Sequence, residues 1–99
     1  MNQVQPIVTY SLNQAVEDGV LIVRGRTKHK VLVVTQAVNA ELSEAEQAKL
    51  FYDFWRWQTE TEPELPEEDR LFSKTAKNGK TVWVIDDGAA VTLLYPSDY

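Results

Sequence analysis

The stretch KLFYDFWRWQ, residues 49–58, places five aromatic rings in ten positions of a 99-residue chain that has ten in all. At about 100° per residue, a helix sets Trp57, Leu50, Phe54, Phe51, Trp55 and Ala48 on one arc. Lys49, Asp53, Arg56 and Glu60 fall on the opposite arc, and Tyr52 lies at the border. The apolar arc is about 180° wide, against about 100° for an ordinary core-facing stripe. A helix this apolar needs a broad cover, which a sheet supplies. SEAE at 43–46 is a capping box, with Ser43 as cap and Glu46 as its reciprocal partner. Pro63 stops the helix after about Glu60. Phe51 and Phe54 are expected in the core. The two tryptophans sit toward the edges of the arc, beyond the reach of a flat sheet. Trp55 and Trp57, with Tyr52 and Arg56, are therefore the candidate protein interface.

The rest of the chain supplies the sheet. VLIVR at 20–24 and KVLVVT at 30–35 are continuously apolar, as strands buried on both faces are. Asn78-Gly79 and Asp87-Gly88 are hairpin signals, separating strands at about 70–76, 81–86 and 90–95. PIVTY at 6–10 reads as a strand, and SLNQAVEDG at 11–19 as a short helix capped by Ser11 and Gln14 and ended by Gly19. Residues 35–42 read as a helical turn. The expected order is β-α-β-β-α-β-β-β, a single α+β domain over 1–99. Its sheet is mostly antiparallel, with one long amphipathic helix packed on it. Val20, Ile22, Val31, Val33, Val82, Val84, Val91 and Leu93 join the two phenylalanines in the expected core.

The net charge is −5, but six of the fifteen acidic residues fall in ETEPELPEED at 60–69, without a basic one, so the remainder is close to neutral. Like charge interrupted by two prolines reads as an exposed loop lacking regular structure. The cations gather elsewhere. Arg24, Arg26, Lys28 and Lys30 lie in one hairpin loop, and Lys74, Lys77 and Lys80 flank the Asn-Gly turn. If the two hairpin tips are neighbours, these seven form a patch able to hold a phosphate backbone.

Little else suggests chemistry. There is no cysteine and one histidine, His29, which excludes thiolate sites and intrachain imidazole clusters. Ser11, Ser43, Ser73 and Ser97 have no plausible base. The four glycines are scattered singly, without a phosphate-cradling loop. Asp86 and Asp87 are better read as hairpin chemistry than as a catalytic pair, since adjacent strand residues point to opposite faces. No catalytic, cofactor-binding or metal site is expected, and an enzyme is not. No apolar run exceeds four residues, far from the roughly 20 that span a bilayer. The start MNQVQPIVTY has neither a basic end nor an apolar stretch of signal length, so the cytoplasm is the expected compartment.

TYSLNQAVEDGVLI near the start, KVLVVTQAV in the middle and VWVIDDGAAVTLLYPSDY at the end resemble a group of small uncharacterised proteins. The group occurs on plasmids and phages and in bacterial genomes. The resemblance covers about half of the chain, carries over no catalytic residue, and implies an accessory protein of a mobile element. The leading expectation is a small non-enzymatic protein-binding or regulatory protein. A nucleic-acid-associated factor using the basic hairpin tips is the alternative. An acidic inhibitor of a DNA-binding enzyme, with 60–69 imitating nucleic-acid charge, comes third.

Overall fold

A computed structural model of the chain describes Gln14 and residues 18–99. The expected strand at 6–10 and most of the expected helix at 11–19 lie outside the described residues. From residue 18 on, the order is β1 (Leu21–Arg26), β2 (Val31–Thr35), α1 (Gln36–Glu41), α2 (Glu44–Glu60), β3 (Phe72–Thr75), β4 (Thr81–Asp86) and β5 (Ala90–Leu94). This is an α+β domain, a five-stranded sheet in the order β1-β2-β5-β4-β3 with α2 laid across one face. Three of its four pairings are antiparallel; β2 and β5 run parallel at the centre.

The central strands explain the apolar runs. Val33 and Val34 are adjacent in β2 and both wholly buried, and every residue of β5 is buried. Against α2 the core comprises Val34, Val38, Leu50, Phe54, Phe72, Val82, Val84, Val91 and Leu93. Leu21, Val33 and Ala90 form a smaller cluster of their own. Val20, Ile22, Val31 and Phe51, also expected to be largely buried, are half-buried and packed against the margins of these clusters. Ile22 belongs to the edge strand β1, Val31 begins β2 beside the open hairpin tip, and Phe51 lines two clefts beside α2. Leu50 takes the fully buried helix position.

Local chemistry departs from expectation at three places. Ser43 caps α2 by accepting from Glu46 N, but Glu46 does not complete the capping box. Its Oε2 accepts from Lys77 N, 3.1 Å away, and so ties α2 to the β3–β4 turn. Neither Asn78 nor Asp87 has positive φ; only Gly79 (85°) and Gly88 (97°) do in these two turns. The β3–β4 loop is longer than two residues, closing with Ala76 N on Lys80 O and Gly79 N on Ala76 O, so one glycine suffices. In the β4–β5 turn the central pair is Gly88-Ala89, with the Asp87 carboxylate accepting from Ala89 and Ala90 N. The acidic segment is largely exposed as expected, yet it holds two 3-10 turns, Glu62–Glu64 and Glu67–Asp69. Pro63 and Pro66, whose φ is locked near −65°, pre-set the backbone for them.

Candidate interaction groove

Tyr52 and Trp55, three apart on α2, stand on its outer edge at 56% and 57% exposure. Their ring centroids are 6.2 Å apart. Beneath them lies a groove of about 410 Å³ between α2 and the β1–β2 hairpin. Leu32, Phe51, Phe54 and Val91 give it apolar walls, and Thr27, Lys30, Gln58 and Asp86 give it a polar side. The alternation of β2 and β5 turns Leu32 and Val91 toward the helix, while the wide apolar arc of α2 carries its rings past the edge of the sheet.

The polar side is built around Asp86. Its Oδ2 accepts from Lys30 Nζ and from Gln58 Nε2 at 3.1 Å, and its Oδ1 from Gly88 N at 2.9 Å. Burial pushes this carboxyl up, but Lys30, the Gly88 N–H and the Gln58 amide outweigh that and hold it below the usual carboxylate range. A carboxylate so fully engaged is a poor general base. It fixes the hairpin and the end of α2 to β4.

The other candidate interface residues do not join this face. Trp57 is half-buried, tilted against Phe54 at 5.9 Å and edge-on to Phe72 at 5.6 Å. Arg56 is exposed and paired with Glu60 at 3.2 Å. The strand order keeps the two basic tips at opposite ends of the sheet, so the seven cations form two separate groups. Four of them face carboxylates: Arg24 with Glu44 at 3.3 Å, Lys30 with Asp86, Lys74 with Asp53 at 2.7 Å, and Lys80 with Glu41 at 2.9 Å. Lys77 contributes its backbone N–H to Glu46. Arg26 and Lys28 are exposed at the β1–β2 tip, without an ion pair among the described residues.

Two features of the site were not read from the sequence. One is Gln47, 1% exposed, which donates to Leu42 O at 2.8 Å and accepts from Arg24 Nε at 2.9 Å. Arg24 also donates to Asn39, so a polar knot ties β1 and α1 to the start of α2, beside a second cleft that shares Leu32 and Phe51 with the groove. The other is the approach of the β1–β2 tip to the Tyr52–Trp55 edge, a long-range contact with no local signal. Among the described residues no helix is long and apolar enough to cross a membrane. Comparison with protein families, curated proteins and solved structures gave no match for this chain.

Proposed function

We propose that this chain is a small non-enzymatic accessory protein that binds another protein through the Tyr52–Trp55 edge of α2. The observation that carries this reading is two neighbouring rings, each more than half exposed, over an apolar groove. Paired exposed aromatics above a pocket are typical of the anchors that dominate protein interfaces. Taken with the resemblance of its segments to a group found on plasmids and phages and in bacterial genomes, this reading extends to an accessory role beside a mobile element, in the cytoplasm. The test is a pull-down from the native host with wild-type and Trp55→Ala protein, followed by titration of the captured partner. The expected result is a partner whose affinity drops at least thirtyfold on that substitution, as for a hot spot of about 2 kcal/mol. Identical capture by both proteins overturns the reading.

A second reading is favoured by one observation: Lys30 and Thr27 line the same groove as Tyr52 and Trp55. Rings beside cations are what single-stranded nucleic acid binds. Against it stand the net charge of −5 and the pairing of Lys30 with Asp86. Titration with oligothymidylate at rising salt separates the two readings. Nucleic acid gives a log–log slope of about −0.7 per contacted phosphate, whereas no measurable binding at physiological salt is expected.

A further inference from the structure

The sheet has a second face, turned away from α2. By register, one row across it runs through Val23, Val33, Thr92 and Ile85, from β1 by way of β2 and β5 to β4. The two central members are buried, Val33 wholly, while Val23 and Ile85 at the ends are half-buried. Neighbouring strands lie about 4.8 Å apart, so side chains along such a row shield one another from the sides only. Complete burial of Val33 requires a layer above it.

The described helices stand elsewhere. Val38 of α1 and Leu50 and Phe54 of α2 pack with Val34 and Leu93, on the opposite face. Glu62, Arg70 and Leu71 border a cleft beside Phe54 and Trp57 on that same side. Tyr99, beyond β5, sets its ring on Trp83 with 6.2 Å between centroids, at the β4 margin of the second face. The covered strip thus reaches from β1 to β5, two strand spacings or about 10 Å. That is the width of one helix.

The start of the chain leads to this strip. Gln14 is helical, Asp18 N donates to Gln14 O at 2.9 Å, and Gly19, with φ 77°, ends the turn two residues before β1. Read from the sequence, a helix over SLNQAVED at 11–18 sets Leu12, Ala15 and Val16 within an arc of about 100°. Gln14 and Asp18 fall on its other side, about 200° and 240° from Leu12, and both are exposed. Eight helical residues rise about 12 Å, close to the roughly 13 Å spanned by the five residues of β5.

We infer that residues 11–18 lie as a helix on the second face of the sheet, with Leu12, Ala15 and Val16 over Val33 and Thr92. That face is then an internal docking surface, occupied by the chain's own segment. The inference is independent of the protein-binding reading, which concerns the α2 side.

The chain has no cysteine, so one introduced thiol reports alone. Thr92→Cys in the full chain places it at the centre of the strip, and its alkylation by iodoacetamide is timed. The thiol is expected to be protected, as buried thiols are. Adding Val16→Asp, which sets a charge in the stripe, is expected to speed alkylation about tenfold or more. Gln14→Glu, which adds the same charge on the outer side, is expected to leave it unchanged. Circular dichroism checks that both variants keep the sheet. A thiol at position 92 that stays protected alongside Val16→Asp, or reacts freely without it, overturns the inference. So does protection lost on dilution, which assigns the cover to a second copy. Should Val16→Asp unfold the chain, a nitroxide attached through Gln14→Cys decides without touching the stripe. It is expected to broaden the amide resonances of Val33 and Thr92 more than those of Leu50 and Phe54 across the sheet. Stronger broadening of Leu50 and Phe54 places the segment on the α2 side and overturns the inference.

Discussion

Two aromatic residues one position apart on α2 have opposite fates. Phe54 is 5% exposed and meets Phe72 edge-on at 5.7 Å, while Trp55 is 57% exposed. Phe54→Ala is expected to cost about 3–5 kcal/mol, since it leaves a cavity in the main core. Trp55→Ala is expected to stay within about 0.5 kcal/mol of wild type, as surface changes do. Urea melts of the two variants check both values; a large loss for Trp55→Ala would mean that its ring is a structural prop. A different measurement addresses Asp86. Unfolded carboxyls take up protons near pH 4, whereas Asp86 in the fold is held lower, against its burial, by Lys30, the Gly88 N–H and Gln58. Glu41 is also held low, by Lys80 and Tyr95, and Asp53 by Lys74 and Lys49. The stability such groups confer is full above about pH 4 and is lost as pH falls through their folded values. Asp86→Asn should therefore be less stable than wild type at pH 7 and lose less on acidification. An unchanged acid slope would show that Asp86 is not a source of that dependence.

At the scale of elements, turns and helices differ in how openly they are written in the sequence. Helix α2 was legible because its cap, its period and its stop are local and agree. Ser43 does cap it, but Glu46 serves the β3–β4 turn instead, which only the packing of α2 against that turn decides. The hairpins were legible as glycine signals, although their geometry was not. One residue's shift at Asp87 moves the turn centre to Gly88-Ala89. Gly88→Ala is expected to cost roughly 1–2 kcal/mol, because a side chain at φ 97° is strained even though nothing crowds the site. A thermal melt checks this, and a neutral outcome would mean that the turn relaxes to another form. The Tyr52–Trp55 edge was half legible: the wide apolar arc marked rings left over beyond the core. That Trp57 turns inward onto Phe72 while Trp55 stays out depends on where the sheet ends, which no window of sequence contains.

On the scale of the whole molecule, the decisive contact is the parallel pairing of β2 with β5. It sets Val31 against Ala90 and Val34 against Leu93, residues from opposite halves of the chain. No turn or spacing announces such a pairing, and it is what separates the two basic tips. It also has a consequence for the chain's integrity. Everything before the acidic segment contributes β1, β2, α1 and α2, and everything after it contributes β3, β4 and β5. Neither piece holds both the helix and the strands that bury its rings. A break within 62–69, where the backbone is mostly exposed and held only by short turns, severs no strand pairing. Two fragments, 1–65 and 66–99, should therefore be unfolded apart and recover native circular dichroism when mixed, with a concentration-dependent midpoint. Fragments that stay unfolded in the mixture would show that the covalent link, and not the central pairing, keeps the halves together. The parallel seam thus makes this chain a candidate split reporter, dark in halves and restored by proximity.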